Sequence, residues 1–187
     1  MKNNRMRIFI EGAMMIAVAQ ILSLIPTGIG SSFSVSIGSI PIILFALRHG
    51  WQKGLVVGLT YGLFKIAIGD VYWLHFAQGM IEYTIPYTCL GLAGLFSEPL
   101  KRQLSIKGGN SANKYIVSAS FLAIIARYFW HFLAGVLYWG EFAPEGWSPF
   151  VFSLVFNGAS GLATAVASIL ILVLLFSRSK QLFTVKY

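Results

Sequence analysis

FVFSLVFNGASGLATAVASILILVLLF, residues Phe150 to Phe176, carries no charged side chain. A helix needs about 20 mainly apolar residues to cross the hydrocarbon core of a bilayer, and this stretch exceeds that. A short basic tail with Arg178 and Lys180 follows it. Toward the N-terminus, apolar segments recur at Tyr115–Trp139, Phe76–Phe96, Gly54–Ile68, about Val35–Leu47 and Ile8–Ile25. Breaks at Pro26-Thr27-Gly28, Arg48-His49-Gly50, Gly69-Asp70, the polar segment Ser97 to Asn113 and the Glu141–Pro149 loop separate them. Six such segments fill the 187 residues, so the expectation is an all-α integral membrane protein, one six-span domain over 1–187. The second and third segments are short for a straight span, which implies tilt or a covering loop; non-helical backbone at membrane depth is tolerated where protein buries it.

Composition points the same way. The chain is 57% hydrophobic and 11% charged, with a mean hydropathy of +0.74. Soluble domains average about 25% charged residues. A soluble enzyme, a disordered tail and a nucleic-acid binder are therefore excluded together. The net charge of +8 belongs instead to cytoplasmic loops. The sole cysteine, Cys89, rules out an intrachain disulfide and a cysteine metal cluster. The few His, Asp and Glu residues show no ligand spacing, so no metal or cofactor is expected.

Charge placement sets the orientation. With the N-terminus in the cytoplasm, the inner pieces carry Lys2, Arg5, Arg7, Arg48, Lys53, Lys101, Arg102, Lys107, Lys114, Arg178, Lys180 and Lys186. The outer loops carry Asp70, Glu141 and Glu145 and no Lys or Arg. That asymmetry predicts both termini inside. The alternative reading of the start is a secretory signal, with Lys2, Arg5 and Arg7 ahead of Ala17-Val18-Ala19. Glu11 interrupts that apolar run, and the run continues past Ala19, so an uncleaved first span is preferred.

Ionisable groups inside a span cost several kcal/mol unless paired or wetted, and so mark function by default. They are Lys65, Glu82, Arg127 and His131, joined by Asn157. All five fall in the outer halves of their segments, which predicts a cavity open to the outside. Arg127 and His131 share a helix face. The bland alternative is that Glu82 merely pairs with Lys65 or Arg127. It leaves unexplained the aromatic side chains at the same depth, among them Tyr72, Trp73, Tyr83, Tyr138, Trp139, Phe142 and Trp147. Some form an ordinary interfacial belt; Tyr72 and Trp139 adjoin the polar cluster. Aromatic faces with a carboxylate, an imidazole and an amide suit a flat heterocyclic cation.

Small residues repeat at four-residue spacing in Ala13 and Ala17 and in Gly54, Gly58 and Gly62. Such ridges let helices approach closely. Packing within the bundle covers the glycines, and a partner-docking face is the sharper reading of the alanines.

Tyr72, Glu82-Tyr83, the block Tyr128-Phe129-x-His131-Phe132-x-Ala134-Gly135 with Trp139, and Asn157-Gly158-x-Ser160-Gly161 resemble the thiamine-specific S-component of energy-coupling factor (ECF) transporters. The similarity runs from Ile21-x-Ser23-Leu24-Ile25-Pro26 to the end of the sixth segment. It implies a multi-pass binding subunit of the bacterial cell membrane without its own ATPase. Such a subunit captures thiamine outside, docks on a transmembrane scaffold carrying two cytoplasmic ATPases, and topples to release the vitamin inside. Ala13 and Ala17 match the family's docking face. Glu82, His131 and Asn157 match positions that hydrogen-bond the aminopyrimidine, and Tyr72, Tyr83 and Trp139 match pocket-lining rings. Arg127 matches a basic residue one turn before the histidine. Two positions depart. Phe152 replaces a tyrosine, removing a hydroxyl, and a loop tryptophan corresponds to about Ser32, with Phe33 beside it as the substituting ring.

Alternatives remain within the class and outside it. An S-component for riboflavin, biotin or hydroxymethylpyrimidine would share the architecture. Gly158-Ala159-Ser160-Gly161 matches the GxSG of rhomboid intramembrane serine proteases, although no histidine follows Ser160. A proton-coupled carrier using Lys65, Glu82 and Arg127 is a third reading.

Overall fold

The computed structural model describes residues 2–29, 33–105 and 112–184. Ser32, Lys107 and Lys186, which enter the reading above, lie outside them. Helix α1 (Lys2–Ser23) leads through an antiparallel ladder, β1 (Gly28–Ile29) against β2 (Phe33–Ser34), to α2 (Ser39–His49) and α3 (Trp51–Ala67). A continuous helical rod over 76–105 follows. It contains α4 (Phe76–Gly79), a π turn (Met80–Thr84), α5 (Ile85–Cys89), a 3-10 stretch (Leu90–Phe96) and α6 (Ser97–Ser105). The last long helices are α7 (Asn113–Tyr138) and α8 (Pro149–Arg178). Among the described residues, three helical stretches are long and apolar enough to cross a membrane: Asn4–Ser23, Asn113–Tyr138 and Pro149–Arg178. The polar segment that begins at Ser97 opens as helix α6, so the rod extends past its apolar part.

The shortest of the long apolar elements forms the centre. Helix α2 is apolar around most of its circumference, and its residues Ser39 to Leu47 are all buried. A helix hydrophobic on every side has no face to give to solvent. It sits among α1, α3, α6, α7, α8 and the 3-10 stretch. Its basic end explains the odd acidic residue of α1. Glu11 forms an ion pair with Arg48, and its carboxylate lies 3.1 Å from His49 Nε2. A carboxylate in an otherwise apolar helix face is thus offset by two partners on α2.

Helix α3 meets the rod backbone to backbone. A Cβ placed on Gly54 would lie 3.0 Å from the Gly91 backbone, on Gly58 2.3 Å from the Tyr87 carbonyl oxygen, and on Gly62 2.0 Å from that of Tyr83. Three glycines one turn apart therefore face three rod residues also one turn apart, running antiparallel. This close approach is what small residues at i, i+4 permit between membrane helices.

The π turn has a local cause. Pro86 has no N–H for the carbonyl of Glu82, and its ring would collide with that carbonyl in a regular α-helix. One widened turn, Met80–Thr84, relieves the clash. Glu82 is carried on this turn, so the proline sets the direction in which its carboxylate points.

Candidate functional site

A cavity of about 450 Å³ opens between the start of the rod, the end of α7 and the start of α8. That is within the usual range for a small-molecule site. It is lined by Tyr72, Glu82, Gly135, Trp139, Phe142, Phe152, Phe156 and Asn157. Five of these (Tyr72, Glu82, Trp139, Phe152 and Asn157) are candidates named from the sequence.

The rings form two walls. Tyr72 and Trp139 stand 5.5 Å apart between centroids and Trp139 and Phe142 5.4 Å apart. Phe152 and Phe156, one turn apart on α8, are 5.0 Å apart. Ser148 caps α8 by accepting the Val151 N–H, with Pro149 in the first turn. That start places Phe152, Phe156 and Asn157 on the cavity side. Gly135 on α7 gives them room: a Cβ there would lie 2.2 Å from Ser153 Oγ and 2.9 Å from Asn157 Nδ2. Asn157 Nδ2 donates to Ser153 Oγ at 3.1 Å, which leaves the amide oxygen as its free acceptor.

Glu82 is held by neutral donors. Its Oε1 accepts the indole N–H of Trp139 at 3.0 Å, and its Oε2 accepts from Gln78 Nε2. Among the described residues it has no salt-bridge partner. The expected cations go elsewhere. Lys65 pairs with Asp70. Arg127 donates to the hydroxyls of Ser36 and Ser39, the former at 2.7 Å, and lies 4.5 Å over the Tyr87 ring. A partly buried carboxylate among rings, with no protein cation beside it, is a place for a cationic ligand.

The remaining candidates act one layer back. The Tyr83 hydroxyl accepts the Tyr72 N–H at 2.9 Å. His131 Nε2 accepts from Arg127 Nε at 3.3 Å, which puts the hydrogen of a neutral imidazole on Nδ1. Phe33 belongs to β2. The neighbouring Ser34 N–H is bound by Ser160 Oγ at 3.1 Å and the Ser36 N–H by Thr164 Oγ1 at 3.0 Å. Ser160 thus tethers the segment containing β2 to α8.

Sequence reasoning missed Gln78, Phe156 and the role of Asp70. Gln78 is fully buried. Besides bonding Glu82 it donates to the Tyr72 carbonyl at 3.0 Å and accepts the Leu74 N–H at 3.1 Å. Its spacing of four from Glu82 was the available signal. Phe156 stands one turn after Phe152 and was equally legible. Asp70 accepts from Gln20 at 2.8 Å and pairs with Lys65, tying the 69–75 loop to α1 and α3. Burial alone would raise the Asp70 carboxyl, but these hydrogen bonds outweigh it and hold it below its ordinary range.

A family model described as thiamine transporter protein matches residues 9–184. The chain belongs to the thiamine transporter protein family. Its relatives include the thiamine transporter ThiT of Lacticaseibacillus paracasei, 32% identical over 99% of this chain and 94% of that protein. ThiT of Bacillus subtilis is 33% identical over 92% of each. Among solved structures, ThiT of Listeria monocytogenes superposes with a TM-score of 0.93 at 38% identity, covering 97% of this chain and all of that one. Membership in this bacterial family, together with the long apolar helices, makes the chain a multi-pass protein of the cell membrane.

Proposed function

We propose that this protein binds thiamine at the outer face of the membrane and serves its uptake as the S-component of an ECF transporter. The observation that carries this reading is Glu82, uncompensated by any described cation, in a cavity walled by Tyr72, Trp139, Phe152 and Phe156. Thiamine is a cation with two flat rings, an aminopyrimidine and a charged thiazolium, joined by a methylene. Its positive charge complements the carboxylate, its rings suit the aromatic walls, and its amino group is a donor for Glu82 and the Asn157 oxygen, with His131 in the layer behind. Phe152 supplies ring surface without a hydroxyl. Arg127 contributes by holding His131 and the Ser36–Ser39 turn.

The six apolar segments and the charge distribution support six helices crossing the bilayer, with both termini in the cytoplasm and the cavity outside. Ala13 and Ala17 are exposed on α1 beside Met14 and Val18. We assign this face to docking on the transmembrane scaffold that carries two cytoplasmic ATPases. A binding role rather than proteolysis is supported by Ser160, whose hydroxyl accepts the Ser34 amide, while His131 is engaged by Arg127.

Titration of intrinsic fluorescence tests the ligand. Thiamine is expected to quench Trp139, with riboflavin, biotin and hydroxymethylpyrimidine far weaker. Quenching by one of those three in preference to thiamine would overturn the assignment. Trp139→Phe keeps a ring but removes the N–H donated to Glu82. It should abolish most of the quench and weaken binding about tenfold, as for a lost hydrogen bond of about 1–1.5 kcal/mol.

Asp70→Asn should speed thiamine release several-fold in stopped-flow measurements, because the 69–75 loop carries Tyr72. A group held below its unfolded pKa gives full stabilisation above that value and loses it as pH falls through the folded one. Acidification below about 4 should therefore release the loop in the parent protein and change the already loosened Asp70→Asn variant little. Equal release rates for the two proteins at neutral pH would refute this anchor.

A further inference from the structure

A second cavity, of about 410 Å³, lies on the outside of the bundle between α1 and α3, away from the vitamin site. Its walls are apolar, with Ile8 and Ile16 from α1, Val57 from α3 and Phe45 from α2. Gly12 keeps the groove floor low, since a Cβ there would already touch Val57 at 3.0 Å. The charge is concentrated at one end; the other polar side chains of the lining, Gln52 and Thr60, are neutral. Arg5 and Lys53, both exposed, stand where α1 and α3 begin. Among the described residues neither has a carboxylate partner, because the nearby Glu11 is taken by Arg48 and His49.

The dimensions match one leaflet. From Arg5 to Ile16 the groove follows α1 for 11 residues, about 16 Å at roughly 1.5 Å per residue. Half of a hydrocarbon core of about 30 Å is about 15 Å. The groove therefore runs from an interface, where two cations meet the headgroup layer, to about the bilayer midplane. Its occupant must be apolar along its length and anionic at one end only.

We propose that the α1–α3 groove binds one anionic phospholipid of the leaflet facing Arg5 and Lys53. The acyl chain lies along Ile8, Ile16 and Val57, and the phosphate headgroup is held by the two cations. Basic pockets between membrane helices select anionic headgroups at about 1 kcal/mol per cation. Ala13 also lines the groove, so the lipid and a protein docking on α1 exclude one another. The site is independent of the vitamin, and its test does not depend on what the first cavity binds.

Native mass spectrometry of the purified full chain provides the test, with dioleoyl phosphatidylglycerol titrated against dioleoyl phosphatidylcholine. One phosphatidylglycerol should be retained in preference to phosphatidylcholine. In Arg5→Gln/Lys53→Gln that preference should fall about 25-fold, a factor of about five for each cation. Ala13→Trp, which fills the groove while sparing the cations, should reduce retention of either lipid. An unchanged thermal midpoint in detergent in each variant shows that the fold is intact. Equal retention of the two lipids by the parent protein would overturn the proposal. So would unchanged phosphatidylglycerol preference in the double variant. Failure of both lipids to bind, with the groove protected only when a protein subunit is added, would also overturn it and leave the face to protein alone.

Discussion

Glu82→Gln is expected to weaken thiamine binding by between about 30-fold and several thousand-fold. The two carboxylate oxygens accept from Trp139 Nε1–H and from the Gln78 amide. An amide in its place has one acceptor and one donor. Its NH2 group must then face either the indole N–H or the Gln78 NH2, donor against donor. The cavity also loses its negative charge. Disrupting one partner of a buried, hydrogen-bonded charge pair costs about 2–5 kcal/mol, and a factor of ten is about 1.4 kcal/mol. Arg127→Lys should cost less, because Arg127 works through Ser36, Ser39 and His131 and does not line the cavity. Equilibrium dialysis checks both. Parent-like affinity in Glu82→Gln, or a larger loss in Arg127→Lys, would show that the site is wrongly placed.

The second large effect is on the scaffold of the site. Gly62→Val should lower the thermal midpoint in detergent markedly and abolish thiamine binding. A Cβ on Gly62 would lie 2.0 Å from the Tyr83 carbonyl oxygen, and the obstructing atom is backbone. Helix α3 must then move away from the rod at the π turn that carries Glu82. Overpacking in a well-packed interior costs about 1–3 kcal/mol even where side chains can adjust, and here no side chain can yield. Gly158→Ala is the control. Gly158 lies in the α8 helix with open space around its Cβ position, and replacing a helical glycine by alanine gains up to about 1 kcal/mol. It should leave the midpoint unchanged or slightly higher. Parent-like stability and binding in Gly62→Val would contradict the backbone contact between α3 and the rod.

Much of the protein was legible before any coordinates. The apolar runs are long and their breaks abrupt, so the helical membrane class follows from transfer energetics alone. The glycine series of α3 was read as intrabundle packing, and the structure gives it three backbone contacts on the rod. Tyr72, Glu82, Trp139, Phe152 and Asn157 come together because they share a depth, and depth can be counted along a helix. Azimuth cannot be counted as reliably across a rod containing a π turn and a 3-10 stretch. Each irregularity rotates everything after it relative to a 3.6-residue repeat.

That is why the partners of the charges escaped sequence reasoning. Lys65, Glu82, Arg127 and His131 were one list, and pairing among them was a fair expectation. Sequence determined which charges must be accommodated inside the bundle, since hydrocarbon makes each of them costly wherever it points. It also determined the motif that assigns the family. Only the tertiary structure decided that Lys65 turns to Asp70, that Arg127 turns to two serines and a tyrosine ring, and that Glu82 is left with two neutral donors. Those choices rest on ångström-scale contacts between segments distant in the chain. The physical difference is one of range. Burial in lipid is a property of each segment, whereas charge compensation is a property of pairs.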